Sequence, residues 1–125
     1  MRLLLDTHVL LWALHDPDEL SPRAREALVD PTHVVYVSSA TVWEASIKQA
    51  LGKLRGADDL PAKIREQRFD ELPIELEHAA LAGELPRHHA DPFDRMLVAQ
   101  ATCEGLTIVT RDERISRDDV PVLAA

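Results

Sequence analysis

The chain has 125 residues, of which 46% are hydrophobic and 29% charged, and its formal net charge is −8. This composition predicts one globular domain over residues 1–125 and excludes disordered, collagen-like and disulfide-scaffold proteins. The single cysteine, Cys103, permits no intramolecular disulfide, so we expect a reducing, cytoplasmic setting. No apolar run approaches the ~20 residues of a membrane span, which predicts a soluble protein with no membrane partner. The excess of acids argues against a broad basic surface for nucleic acid.

Short apolar strands alternate with helices along the chain. In order, the patterns predict a strand at 3–5, a helix at 9–14, a helix that starts at Pro22 after Ser21, a strand at 34–37, a helix at 40–51, an amphipathic basic segment at 61–69, a strand at 71–74, a helix at 75–82, a helix at 92–104, a strand at 106–109 and an edge strand at 120–123. This alternation is typical of an α/β fold with a central, mostly parallel sheet between layers of helices.

Four acids fall near the carboxyl ends of the predicted strands, where parallel sheets bind ligands. Asp6 and Asp112 follow apolar strands, while Glu44 and Asp94 lie in early turns of helices. Gathered at one edge, these carboxylates would repel one another unless a cation neutralised them. Oxygen-only ligands favour hard ions such as Mg²⁺ or Mn²⁺, which suit phosphoryl chemistry.

Each acid also has a purely structural interpretation. Asp6 and Asp91 could cap helices, Asp112 could belong to a turn, and Glu44 could form a surface i,i+4 ion pair with Lys48. Carboxylates in a first helical turn are favoured by the helix dipole alone. Taken singly, therefore, none of these acids establishes a metal site.

Several other residues have expectations of their own. We expect Trp43, Ile47, Leu51 and Leu54 to form a buried stripe with Glu44 at its border. We also expect core packing, rather than base stacking, for the aromatic residues Trp12, Trp43 and Phe93, and burial for Cys103. The pair His88-His89 is interpreted as a solvated loop. Basic residues concentrate in the segment 48–68, as a solvated helical face or as a positive rim for an RNA backbone: Lys48, Lys53, Arg55, Lys63, Arg65 and Arg68.

Four motifs together resemble those of PIN-domain ribonucleases, specifically the VapC-type toxins of bacterial type II toxin–antitoxin pairs. They are LDTH at 5–8, VWEASIK at 42–48 followed by GKL at 52–54, DPFDRMLVAQA at 91–101, and VTRD at 109–112. They are spread over nearly the whole chain in the order and spacing of the family. A lone Asp-Thr pair would carry no such information.

This resemblance implies a PIN-like α/β fold and a Mg²⁺- or Mn²⁺-dependent endoribonuclease. The catalytic, metal-binding carboxylates would be Asp6, Glu44, Asp94 and Asp112, with Asp91 as an outer acid and the hydroxyls of Thr7 and Thr110 as supports. It also implies a VapB-like antitoxin partner, an RNA substrate and a homodimer.

Two alternatives remain beside the nuclease. One is a catalytically inactive PIN-fold module that acts through protein contacts. The other is an aspartyl-phosphate phosphohydrolase with Asp6 as nucleophile, which is disfavoured because position 8 is His8 rather than a second acid. For the nuclease, no histidine stands among the four motif acids as a general base, so activated water is expected to attack phosphorus.

Overall fold

Five parallel strands form one sheet in this protein, whose computed structural model describes residues 1–86 and 90–125. The strands of this described part are Arg2–Leu5 (β1), Val34–Ser38 (β2), Asp70–Leu72 (β3), Thr107–Thr110 (β4) and Val122–Ala124 (β5). Their order across the sheet is β3-β2-β1-β4-β5, and every neighbouring pair is parallel. The predicted α/β fold is confirmed.

The central strand β1 is buried on both faces of the sheet. Leu3, Leu4 and Leu5 are all fully buried. Leu3 and Leu5 pack in one hydrophobic cluster and Leu4 packs in a second, because successive side chains of a strand point to opposite faces. A continuous apolar run, rather than an alternating one, is therefore what this strand requires.

Helices cover the two faces of the sheet. Those in the described residues are Thr7–His15 (α1), Pro22–Val29 (α2), Ser39–Ala50 (α3), Leu60–Glu66 (α4), Leu76–Glu84 (α5) and Pro92–Glu104 (α6), with 3-10 turns at Pro17–Glu19 and Ile115–Arg117. The Ser21 hydroxyl caps α2 by accepting the Ala24 amide at 3.1 Å. Gly105 ends α6 in the left-handed region at φ 67°. No helix of this described part combines the length and the apolar character needed to cross a membrane.

The two outer strands differ from their predicted bounds. The strand predicted at 71–74 is Asp70–Leu72, since Pro73 has no amide proton to continue the ladder. The edge strand predicted at 120–123 is Val122–Ala124, where Val122 pairs with Ile108 and Ala124 with Thr110.

The predicted buried stripe is wrong at Trp43 and Leu51, which are 60% and 64% exposed. The helix α3 instead buries a face made of Ala40, Thr41, Glu44 and Ala45. Three of these side chains are small, and Glu44 finds polar partners in Thr7 and Lys48. Glu44 therefore lies within the buried face and not at its border, while the bulky Trp43 is open to solvent.

Two further expectations about burial are corrected. Cys103 is exposed rather than buried, because it lies on the outer face of α6 near the end of the helix. Core packing is wrong for Trp43, whose ring contacts the half-buried Phe93 edge-on with centroids 5.4 Å apart. The pair His88-His89 lies outside the described residues.

Candidate active site

Asp6 is held in place by two different elements. It follows β1 and caps α1, accepting the Val9 amide on Oδ1 at 2.9 Å. Its other oxygen, Oδ2, accepts a hydrogen bond from the hydroxyl of Thr110, the last residue of β4. Asp6 therefore caps α1 and also lies at the carboxyl edge of the sheet, so its capping role does not exclude a role in the site.

Glu44 is a buried carboxylate whose two oxygens are both engaged. Its side chain is 7% exposed. The Thr7 hydroxyl donates to Oε1 at 2.5 Å, and Lys48 Nζ lies 2.5 Å from Oε2. The i,i+4 pair predicted from the sequence thus exists, but on the buried face of α3 and not on a solvated surface.

Asp91 and Asp94 share the first turn of α6. Asp91 caps the helix, and its Oδ1 accepts the amides of Phe93 at 2.8 Å and of Asp94 at 3.2 Å. This cap fixes the backbone of Asp94, whose side chain is 16% exposed. Asp91 therefore caps α6 and positions the acid that follows it, and its side chain also lines the cleft shared with the other acids.

Asp112 lies two residues beyond β4 and is bound to Arg114. The Arg114 guanidinium donates from Nη2 to Oδ2 at 2.9 Å and from Nε to Oδ1 at 3.2 Å. The same Nη2 lies 4.0 Å from Asp94 Oδ2. The amide of Asp112 donates to the Thr110 hydroxyl at 3.0 Å, so Thr110 connects Asp112 to Asp6.

These acids lie along one cleft of about 320 Å³ at the carboxyl edge of the sheet. Its lining comprises Asp6, Thr7, His8, Trp12, Glu44, Lys48, Asp91, Asp94, Arg111, Asp112 and Arg114. Thr110 supports the cleft through its bond to Asp6. The structure therefore brings together all four acids singled out by the sequence, from four separate segments of the chain.

Four residues of this lining have no site role in the sequence analysis: His8, Trp12, Arg111 and Arg114. His8 is exposed in the cleft and stacks on Trp12, with ring centroids 5.8 Å apart. The available signal for the two arginines was their position within two residues of Asp112, because a cation there falls at the same sheet edge.

Arg111 is a firmly held cation of the cleft. Its guanidinium carbon lies 4.2 Å above the Trp12 ring, a cation–π arrangement. Its nitrogens also donate to Glu19 Oε1 at 3.1 Å, to the Glu19 carbonyl, and to the Ala125 carbonyl at 3.1 Å. These contacts keep its position independent of the four acids.

Burial and neighbouring charges shift the pKa of two groups in the cleft. Burial raises the pKa of Asp6 above its ordinary value, opposed by the bonds from Thr110 and Val9, while the charge of Asp112 adds to the rise. The hydrogen bond to Glu44 raises the pKa of Lys48. The main causes differ, since Asp6 loses hydration on burial whereas the Lys48 ammonium is stabilised by its bond to the Glu44 carboxylate.

The donor set of the cleft fits a hard divalent cation. The acids present carboxylate oxygens, Thr7 and Thr110 add hydroxyls, and Mg²⁺ and Mn²⁺ prefer oxygen ligands. Lys48 and Arg114 neutralise part of this charge through Glu44 and Asp112. The need for these cations shows that negative charge is concentrated in the cleft, and a bound divalent ion would neutralise the same charge.

A second group with metal-ligating side chains lies outside this cleft and serves a structural purpose. In the described part of the chain, Glu75, His78 and Glu104 bring ligand atoms within 4.8 Å of one another. His78 Nδ1 accepts the Glu75 amide at 3.0 Å, and Nε2 lies 2.9 Å from Glu104 Oε1. The buried imidazole thus ties the start of α5 to the end of α6.

Comparison with known proteins identifies the family. The model of the PIN domain matches residues 3–120. The chain belongs to the PIN domain family. A curated PIN-domain relative, Ribonuclease VapC22 of Mycobacterium tuberculosis, is 32% identical over 119 residues, covering 90% of this chain and 88% of the relative. The resemblance carried by the four motifs is thereby confirmed.

Two solved structures with a similar fold are described as VapBC bound to DNA. VapBC2 from Rickettsia felis bound to a promoter DNA fragment has a TM-score of 0.74 at 16% identity, covering 99% of this chain and 98% of that one. DNA-bound VapBC from Salmonella typhimurium has a TM-score of 0.70 at 20% identity with the same coverage. At these identities, the structures support the PIN fold.

The basic segment contributes one residue to the cleft of this PIN domain. Lys48 belongs to the lining, whereas Arg65 and Arg68 line two other cavities, of about 430 and 620 Å³. Among the residues that the structure describes, Lys48, Arg111 and Arg114 are the lysine and arginine side chains that line the cleft beside the acids.

Proposed function

We propose that this chain is a VapC-type endoribonuclease toxin that requires Mg²⁺ or Mn²⁺ and acts on RNA in the cytoplasm. One observation carries the proposal: four acids from four separate segments line one cleft at the carboxyl edge of the sheet. The similarity to a protein named as a ribonuclease supports the same activity. The acids that hold the ion are Asp6, Glu44, Asp94 and Asp112.

Residues around these acids keep them in place. Thr7 donates to Glu44 and Thr110 to Asp6, so each hydroxyl fixes one carboxylate and leaves its remaining lone pairs for other partners. Asp91 orders the first turn of α6 and with it Asp94. When bound, the divalent ion supplies a Lewis acid for the phosphoryl oxygen and activates water.

The cations of the cleft recognise the RNA backbone. Arg111 is fixed by Trp12, Glu19 and Ala125 and presents a guanidinium beside the acids, where a phosphate diester would lie. In the proposed reaction, water attacks phosphorus and the bond to the 3′ oxygen breaks. That oxygen takes a proton, which leaves a 3′-hydroxyl and a 5′-phosphate.

The chemistry of the product ends tests this mechanism. Purified chain, free of antitoxin, is incubated with end-labelled RNA and Mg²⁺ or Mn²⁺, and the ends are identified. We expect 5′-phosphates, no cleavage in EDTA, and retained cleavage when the ribose at the scissile position is 2′-deoxy. A 2′,3′-cyclic phosphate would instead indicate attack by the 2′ oxygen and would overturn the mechanism. His8, which is exposed in the cleft lining, is a candidate base for that reaction.

A matched pair of variants tests the acids. Asp94→Asn keeps the volume of the side chain and is expected to reduce cleavage about 100-fold or more, since even residues that only support metal ligands contribute 10–100-fold. Asp119→Asn changes an exposed acid outside the cleft lining and is expected to retain activity. If the wild-type chain cleaves no RNA with either metal, the alternative of an inactive PIN module is favoured.

We also propose a VapB-like antitoxin as the protein partner and a homodimer as the working assembly. The likeness in fold to chains from structures described as VapBC supports the antitoxin, and the homodimer rests on the resemblance of the four motifs to VapC-type toxins. Co-expression of this chain with its neighbouring gene product, followed by size-exclusion chromatography with light scattering, measures both. A monomer that forms no complex would contradict both assignments.

A further inference from the structure

Arg114 connects two of the four acids. Its guanidinium binds both oxygens of Asp112, at 2.9 and 3.2 Å, and its Nη2 lies 4.0 Å from Asp94 Oδ2. The backbone amide of Arg114 also donates to Asp112 Oδ1 at 2.9 Å. A single positive charge therefore occupies oxygens that a divalent ion would use.

Arg114 differs from Arg111, the second arginine in the described lining of the cleft, in how it is held. Arg111 is pinned by Trp12, Glu19 and Ala125, none of which is a predicted metal ligand. The Arg114 side chain contacts the acids themselves and is 55% exposed, against 27% for Asp112 and 16% for Asp94. It covers the two acids from the solvent side, so it can leave them without crossing the protein interior.

We propose that Arg114 exchanges between these acids and a phosphate of the RNA, and so couples RNA binding to metal binding. This inference rests on the proposed function. A guanidinium recognises carboxylate and phosphate with the same two-pronged geometry. A divalent ion at Asp94 and Asp112 repels the guanidinium and competes for the same oxygens. The displaced side chain is then available, on the open side of the cleft, to a phosphate oxygen.

The exchange makes the two ligands cooperative. RNA that engages Arg114 removes a competitor from Asp112 and increases metal affinity. Because coupling between binding sites is reciprocal, bound metal increases RNA affinity by the same factor. Without RNA, Arg114 holds the acids in a neutralised state and weakens metal binding.

Two equilibrium measurements without turnover test the proposal on the full chain. Mn²⁺ binding is measured by calorimetry without RNA, and binding of a single-stranded RNA is measured in EDTA. For Arg114→Met we expect about fivefold tighter Mn²⁺ binding and about fivefold weaker RNA binding, the scale of one partly exposed ion pair. The slope of log K for RNA binding against log salt concentration should decrease in magnitude by about 0.7, as expected for the loss of one phosphate contact.

Two further variants separate this exchange from a general charge effect. Arg117→Met removes the same charge three residues further along, from the 3-10 turn that follows Arg114, at a residue that is exposed and outside the cleft lining. We expect Arg117→Met to change the Mn²⁺ and RNA affinities less than twofold, because salt screens an exposed charge outside the cleft. Arg114→Lys keeps the charge but loses the planar fork, so its Mn²⁺ affinity should fall between those of the wild type and Arg114→Met.

Each other outcome overturns the proposal in an identifiable way. Weaker Mn²⁺ binding by Arg114→Met means that Arg114 positions Asp112 for the metal and does not compete with it. If Arg114→Met and Arg117→Met change the Mn²⁺ and RNA affinities equally, the effect of Arg114 is a general electrostatic one and no exchange takes place. If the wild type binds Mn²⁺ and Arg114→Met binds it identically, the exchange alone is refuted. If the wild type binds no Mn²⁺, the proposed metal dependence fails together with the exchange.

Discussion

Replacing Lys48 by methionine should destabilise the metal-free protein more than replacing its partner Glu44 by glutamine. Glu44 is 6% exposed and lies 2.5 Å from Lys48. Lys48→Met leaves a buried carboxylate with the Thr7 hydroxyl and without its cation. Removing one partner of a buried pair costs more than removing the charge itself, because the remaining group keeps its desolvation penalty.

The magnitude follows from the burial of the two partners. A buried charge left without its partner costs on the order of 1–3 kcal/mol. Since the Lys48 side chain is 37% exposed, water can partly replace it, and we expect the lower half of that range. This corresponds to a fall in Tm of roughly 3–8 °C for a chain of this length. Glu44→Gln should cost less than about 1 kcal/mol, because the amide still accepts from Thr7 and Lys48 can turn to solvent.

A bound metal ion should reverse the order of stability of Lys48→Met and Glu44→Gln. If Glu44 is a ligand, Mn²⁺ supplies the charge that Lys48→Met removes, so this variant should gain more stability from Mn²⁺ than the wild type does. The wild type itself should gain roughly 1.4 kcal/mol at ten times Kd. Glu44→Gln should gain less, since it lacks one ligand charge.

Thermal melts in EDTA and in Mn²⁺ measure all of these quantities. Lys53→Met, at an exposed lysine beyond the end of α3, is the control for loss of a positive charge. Two results would refute the reasoning: Lys48→Met as stable as the wild type in EDTA, or an equal Mn²⁺ shift in Glu44→Gln and the wild type.

Two further predictions concern pH and backbone conformation. Burial raises the pKa of Asp6 above its ordinary value of 3.8. The ionised carboxylate therefore lowers the free energy of unfolding at neutral pH, and this loss is relieved as the pH falls through the raised pKa towards 3.8. In EDTA, Asp6→Asn should therefore be at least as stable as the wild type at pH 7 in urea titrations, and its advantage should shrink on acidification; an advantage that grows would contradict the assignment. Gly105 has φ 67° with open space around its missing Cβ, so Gly105→Ala should destabilise by about 1 kcal/mol through backbone strain alone. Gly83→Ala in α5, also without a close neighbour, should instead stabilise by about 0.5–1 kcal/mol, and urea midpoints that move in the same direction for both would refute this argument.

Local sequence by itself determined the elements and the edge at which the acids meet. Leu3, Leu4 and Leu5 form a continuous apolar run, which is the pattern of a strand covered on both faces. An acid that directly follows such a strand, as Asp6 does, must lie at the carboxyl edge of a parallel sheet. Helix signals such as Asp91 before Pro92 and Gly105 after Glu104 are equally local, because they depend on backbone groups within one turn.

Only the tertiary structure decided which face of α3 is buried and which cations reach the acids. Trp43 is more apolar than Glu44, yet Trp43 is 60% exposed and Glu44 is 6% exposed. The loss of hydration at Glu44 is offset by its bonds to Thr7 and Lys48. The bond from Thr7 to Glu44 joins residues 37 positions apart, and the bond from Thr110 to Asp6 joins residues 104 positions apart. Periodicity along the chain reports the preference of each side chain for water or core, whereas these pairs depend on which segments the sheet brings together.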